Sequence, residues 1–239
     1  MKKSYFNNPR PGIKDLWNSF MVKGASFSSN DIPYCPTSNI IPNKIITWST
    51  AKEIYKHNIR IKNSTFHENS FVCFYEDDGN FDGKQKGIWC NYNYALKIIK
   101  HFGGIITPDF STYQDFPIPI KLYQTYRMRA FGYWMYKNDI PVINNVRWGS
   151  EESYNYCFDG IPKNSIVSIG TCGGSPQSIE NRTRFNSGFE KMISVLSPHT
   201  ILVYGSSNYP CFEQLKNSGI KIITYKSETN QYYQTKGDR

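Results

Sequence analysis

Chemistry in this chain is carried by the polar residues that follow its short apolar runs, because a strand delivers its last residues to an open edge where a ligand can be met. Glu76-Asp77-Asp78-Gly79 follows one run, and Pro108-Asp109-Phe110-Ser111-Thr112 the next. Arg147-Trp148-Gly149 follows a third, with Glu151 and Glu152 just beyond. Gly170-Thr171-Cys172-Gly173-Gly174-Ser175-Pro176 and Gly205-Ser206-Ser207-Asn208 complete the set. Four of these five segments place Gly beside a small polar residue, a composition that lets backbone approach a ligand closely, although it also serves plain chain reversal.

Asp109 follows an apolar run directly, between Pro108 and Phe110. A partly buried carboxylate there serves as a general base, as a metal ligand or, most simply, as a cap on nearby amides. Arg147 at a strand end can hold a phosphate or carboxylate bidentately, and Trp148 beside it can stack a base or anchor the loop, with Arg147 then paired to Glu151 or Glu152. Asp109 and Arg147 are therefore the catalytic candidates. Ser111, Trp148, Thr171, Gly173, Gly174, Ser206 and Asn208 are the ligand-binding candidates. Asp109 with Glu76, Asp77 or Asp78 would make a carboxylate pair for Mg²⁺ if the carboxyl groups approach within ~4 to 5 Å.

The stretch from Gly170 to Pro176 matches neither G-x-x-x-x-G-K-[ST] nor G-x-G-x-x-G, so neither a P-loop nor a dinucleotide fingerprint is present. Ser175-Pro176 still reads as the cap and first residue of a helix, an anion-receptive start. The six cysteines and four histidines are scattered without C-x-x-C or Cys/His clusters, which removes zinc-finger and zinc-ribbon readings and points to reduced thiols.

The elements that must position these residues alternate. Strands are expected at Ile45 to Trp48, Phe71 to Tyr75, Gly104 to Thr107, Pro141 to Val146, Ser165 to Ile169, Thr200 to Tyr204 and Ile220 to Tyr225. Helices are expected near Thr50 to His57, Tyr92 to Phe102, Pro117 to Lys137, Arg184 to Leu196 and Pro210 to Ser218, the first opened by a Thr50…Glu53 capping box and the last stopped at Gly219. On the long helix, Leu122, Tyr126, Ala130 and Trp134 form the core stripe, leaving Arg127 and Arg129 on a solvated or partner-facing edge. This alternation implies an α/β fold: a mostly parallel, open, Rossmann-like sheet with flanking helices, the alternative being a partial or irregular β/α barrel.

Residues 1–40 read as a basic N-terminal extension, with a short helix between Pro11 and Gly24 whose apolar face is Ile13, Leu16, Trp17 and Phe20. Residues 41–226 form the α/β domain and 227–239 a polar tail. Met1-Lys2-Lys3 is followed by Asn, Pro and Arg in place of an apolar signal-peptide region, and no run approaches the ~18 apolar residues of a membrane span. A cytoplasmic protein with no membrane partner is expected, in a bacterium or a phage-infected cell.

The 239 residues hold 28 Lys and Arg against 19 Asp and Glu, a net charge of +9, and two thirds of the excess lies in residues 1–102. Such a balance favours anionic partners. If DNA or RNA is the partner, Lys2, Lys3, Arg10, Lys14 and Lys23 are the backbone contacts. Aromatic residues make up 16%. Together with abundant Asn, they read first as the mark of an AT-rich genome. They become nucleic-acid evidence only where rings are exposed beside cations.

Three segments carry a resemblance: Ile105-Ile106-Thr107-Pro108-Asp109-Phe110-Ser111, Ile140 to Gly149 with its N-V-R-W-G, and Asp159-Gly160-Ile161-Pro162-Lys163. Over roughly residues 30–225 the chain resembles an uncharacterised domain-of-unknown-function family of phages, mobile elements and low-GC bacteria. The resemblance implies a cytoplasmic α/β protein and brings no catalytic residue with it. Function is then expected to be nucleic-acid binding or processing for a phage or mobile element. The alternatives are an enzyme or sequestering protein for a nucleotide or phosphorylated small molecule, and a non-enzymatic partner-binding protein.

Overall fold

The computed structural model describes residues 15, 17–83, 87–172, 179–215, 218–228 and 230. Seven strands, β1 (Ile45–Thr47), β2 (Glu68–Cys73), β3 (Phe102–Ile106), β4 (Val142–Asn145), β5 (Ile166–Gly170), β6 (Thr200–Tyr204) and β7 (Lys221–Tyr225), form one sheet in sequence order, every neighbouring pair parallel. All seven overlap the apolar, β-branched runs seen in the sequence. Because parallel crossovers are right-handed, a strictly sequential order sends every connection over the same face. Among the described residues no helix covers the opposite face, which buries its strand side chains against one another by curling.

The result is an α/β half-barrel with flanking helices. Ile45, Phe71, Ile106, Ile143, Ile166 and Leu202, from β1 to β6, meet in one apolar cluster with Ile223 of β7 against it. Two larger clusters lie between sheet and helices, one over β1 to β4 and one over β5 to β7. Since the order never reverses, there is no doubly wound switch-point crevice; loops and helix starts converge instead at the C-terminal mouth of the curl. The first and last strands are tied at the mouth by side chains. The Glu228 carboxylate accepts from Thr47 N, Thr47 Oγ1 and Thr50 Oγ1, each at 3.0 Å, and Tyr225 Oη donates to the Pro42 carbonyl at 2.6 Å.

The helices are α1 (Trp48–Arg60), α2 (Asp78–Phe81), α3 (Tyr92–Ile99), α4 (Ile118–Lys137), α5 (Ile179–Leu196) and α6 (Pro210–Glu213). The capping box expected at Thr50 is not the start of α1. The chain turns from β1 straight into the helix, so Thr47 is the cap and its Oγ1 accepts from Thr50 N at 3.2 Å. The short α2 lies in a segment read from the sequence as loop. Gly219, with φ +79°, supplies the left-handed turn expected before β7.

The larger correction concerns α4, whose Arg127 and Arg129 are buried and not on a solvated edge. Ala130 is buried as expected, whereas Leu122, Tyr126 and Trp134 are only partly buried against the apolar clusters. Each arginine finds acceptors that neutralise or satisfy it, which makes burial tolerable. Within the described part of the N-terminal region, a 3₁₀ turn at Ser19–Val22 stands where a helix was expected, with Met21 and Val22 buried. Phe20 packs on Tyr92 and Trp134. Ile13 and Leu16 lie outside the described residues. No helix among those described is long and apolar enough to cross a membrane.

Candidate functional site at the barrel mouth

Asp109 lies three residues past β3 and Arg147 two past β4, and since these strands are parallel neighbours their ends open side by side. Arg147 Nη1 donates to Asp109 Oδ2 at 2.6 Å, with 33% of the arginine side chain and 15% of the aspartate exposed. Asn145 Nδ2 donates to Asp109 Oδ1 at 2.9 Å, so both carboxylate oxygens are held. Asp109 raises the Arg147 pKa above its usual value, outweighing the opposing effect of burial.

Asn145 is held in turn. Its N–H donates to Thr107 Oγ1 at 2.8 Å, and its carbonyl accepts from Arg129 Nη1 at 3.0 Å. Tyr75 Oη lies 2.9 Å from both Asn145 Oδ1 and Ser168 Oγ. The Tyr75 ring crosses the inside of the curl, stacks on Tyr204 at 5.4 Å and rests on Gly170, where a Cβ would stand 2.6 Å from it. Burial, with the Asp109 charge nearby, pushes the Tyr75 pKa well up, so it acts as a neutral hydroxyl. Asp78 approaches from α2, near the Ser111 side chain. Burial raises its pKa, and the charges of Asp82, Arg147 and Asp109 all reach it.

The structure thus joins Asp109 and Arg147, with Asp78 and Ser111 near them. Other candidates are engaged elsewhere. Arg147 pairs with Asp109 and not with Glu151 or Glu152. Trp148 packs on Phe185 and Phe189 and against Gly188, where a Cβ would stand 2.0 Å from its ring, so it anchors the loop. Thr171 Oγ1 accepts from Ser206 N and meets the Ser206 carbonyl, both at 2.8 Å, and Ser206 Oγ accepts from Asn208 N at 3.1 Å, a network that turns the β5 and β6 loops. Gly173, Gly174, Ser175 and Pro176, and Lys2, Lys3, Arg10 and Lys14, lie outside the described residues. Lys23 is exposed.

For Mg²⁺, Glu76 is occupied as a cap on α1, accepting from Ser49 N at 2.9 Å and Ser49 Oγ at 2.5 Å, while Asp77 is exposed. Among the described residues no group of three or more His, Cys, Asp or Glu could hold a metal ion.

Sequence reasoning missed Tyr75, Asn145, Ser168 and Lys121. Asn144-Asn145 at the end of an otherwise apolar strand was the one local signal. Lys121 is buried on the first turn of α4, its Nζ donating to the Gln114 carbonyl at 2.7 Å. With Arg147, Thr112, Gln114 and Ser150 it lines a narrow cleft. Tyr113, 55% exposed, stands at the same loop, close enough for its hydroxyl to act on the Arg147 charge.

Gene 1 protein of Mycobacterium phage D29 is 24% identical to this chain over 208 residues, covering 87% of this chain and 72% of that protein. Gene 1 protein of Mycobacterium phage L5 is 27% identical over 196 residues, covering 82% and 80% respectively. No solved structure matches. Residues 25–226, close to the span of the resemblance seen in the sequence, match the family described as domain of unknown function (DUF4417), and the chain belongs to that family.

Proposed function

We propose that the protein binds nucleic acid in the cytoplasm of a phage-infected or mobile-element-bearing cell, the barrel mouth taking a phosphate on Arg147 and an unpaired base on Tyr113. One observation carries this reading: Tyr113, an exposed aromatic on the loop after Asp109, lies near enough for its hydroxyl to act on the charge of a guanidinium that Asp109 holds through one nitrogen. That is the pairing of stacking surface and cation that single-stranded nucleic acid uses, and the one that turns an aromatic-rich composition into evidence. Asp109 orients Arg147, and Asn145 orients Asp109. Ser111 acts through Asp78. The basic residues Lys2, Lys3, Arg10, Lys14 and Lys23 add the long-range attraction.

Filter binding of single-stranded DNA and RNA over a salt series tests the reading. Affinity should fall steeply with salt, and Arg147→Ala should weaken binding at low salt by about tenfold, the order expected for losing one charge-assisted phosphate contact. Negligible affinity at low salt for both polymers overturns it. The recessed position of Asp109 favours one second reading, a free nucleotide or phosphorylated small molecule at the same mouth. A thermal-shift panel of nucleotides separates the two.

A further inference from the structure

The pole opposite the mouth, where the strands begin, is lined with cations. Lys44, Lys62, Lys100, Lys137 and Lys163 stand in the short approaches to β1, β2, β3, β4 and β5, and Lys221 is the first residue of β7. All six are exposed, and among the described residues none of their side chains makes an ion pair or a hydrogen bond. In the same described approaches the carboxylates are Asp139, ahead of β4, and Glu68, at the start of β2. Part of this pattern has a local cause. Helices α1, α3, α4 and α5 end at this pole, each presenting about half a negative charge that favours a cation in the last turn. Arg60, Lys97 and Lys137 stand in the last turns of α1, α3 and α4 and answer that demand. The other five lysines outnumber the two carboxylates and leave the pole positive.

We propose that this pole docks on the backbone of double-stranded nucleic acid, whatever its sequence. Adjacent strands lie ~4.8 Å apart, so the cations entering β1 to β5 form a row of about 20 Å along the edge of the sheet. Lysine suits such a contact, because its ammonium is a point charge on a flexible stem and meets phosphates without a fixed geometry. Asn43 and Asn164, exposed beside Lys44 and Lys163, add amide donors of the kind that bond phosphate oxygens. A duplex is the polymer of matching density, with about one negative charge per 1.7 Å of axis against one per 3.4 Å along a single strand. The surface is separate from the mouth and reads no base, so it goes beyond the function proposed above and stands or falls without it.

The test uses the full chain with a short DNA duplex, one of its single strands, and vesicles containing phosphatidylserine. With six phosphate contacts, the logarithm of the duplex binding constant should fall against that of salt with a slope of about −5. Lys100→Gln combined with Lys163→Gln should make that slope shallower by about two and weaken duplex binding at low salt by about tenfold. Arg182→Gln combined with Lys226→Gln removes the same charge from the mouth end and should weaken it by less than about threefold. Equal losses in the two pairs would reduce the effect to net charge and overturn the pole. Absent duplex binding at low salt overturns it too, and single strands that still bind and are weakened by Arg147→Ala would then leave the reading of the mouth standing. Duplex binding weakened by the pole pair, with single strands indifferent to Arg147→Ala, keeps the pole and overturns the mouth. Vesicles bound more strongly than duplex, and released in the same pole pair, assign the surface to a membrane and overturn the nucleic-acid partner.

Discussion

The inner side of α4 and the mouth of the half-barrel both hold cations out of bulk water, and they treat them oppositely. Arg129 is 0% exposed and donates to three backbone carbonyls, of Asp159 at 3.1 Å, Asn145 at 3.0 Å and Cys157 at 3.3 Å. Arg127 is gripped by both oxygens of Asp82, at 2.7 and 2.5 Å, with Gln124 on its Nε and the Phe110 ring 3.8 Å from its carbon. At the mouth, Arg147 meets one carboxylate and Lys121 one carbonyl. Burial lowers the Arg129 pKa to about 10, whereas Asp109 pushes that of Arg147 upward. A guanidinium bonded through all three of its nitrogens is part of the scaffold, and one bonded through a single nitrogen at the mouth is, on the function proposed above, where a ligand completes the structure.

Arg129→Met is the severest test of that contrast. It strands three carbonyls in the core, and urea unfolding should show a loss of roughly 3–5 kcal/mol, each orphaned acceptor contributing part of it. A loss below about 1 kcal/mol would mean that Arg129 is not structural after all.

Gly188→Ala comes next, because the new Cβ would stand 2.0 Å from the Trp148 ring. Overpacking there should cost about 1–3 kcal/mol and alter tryptophan fluorescence. An unchanged melt and spectrum would free Trp148 from its anchoring role and return it to the ligand.

At the mouth the expectation inverts. Asp109→Asn should change thermal stability by less than about 1 kcal/mol, as for other partly exposed ion pairs, while weakening oligonucleotide binding by leaving Arg147 without its orienting partner. Large destabilisation with unchanged binding would move the Asp109–Arg147 pair to the scaffold side of the comparison.

The smallest effect is pH-dependent. Burial raises the Asp78 pKa in the folded state, so its contribution to stability is complete below the ordinary carboxylate value of about 4 and is lost as pH rises through the raised value. Asp78→Asn should therefore raise the unfolding midpoint slightly at neutral pH and leave it unchanged under acid conditions. A rise of equal size at both pH values would remove the titration of Asp78 as the cause.

The strands were legible because each is a short apolar run, and β6 spans the same residues, Thr200–Tyr204, in the sequence reading and in the structure. Their order was not, since periodicity marks a strand without naming its neighbour. The α4 arginines were misread for a related reason. Arg127 meets an aspartate 45 residues away and Arg129 carbonyls 16, 28 and 30 residues away, so nothing within the helix records their burial. Thr47 displaced Thr50 as the cap of α1 because the turn out of β1 has no linker, a matter of where the strand ends.

By itself, the sequence determined the alternation of strands and helices and placed Asp109 and Arg147 just past strand ends, where a parallel sheet presents ligand contacts. These are short-range properties, set by side-chain spacing and by which residues can turn a chain. Only the tertiary structure decided that Arg147 pairs with Asp109 and not with Glu151 or Glu152, that Tyr75 and Asn145 brace the pair, and that Lys121 is buried with no carboxylate partner among the described residues. A charged or polar group takes the partner that packing brings within hydrogen-bond reach, and here packing gathered residues from separate strands into one mouth.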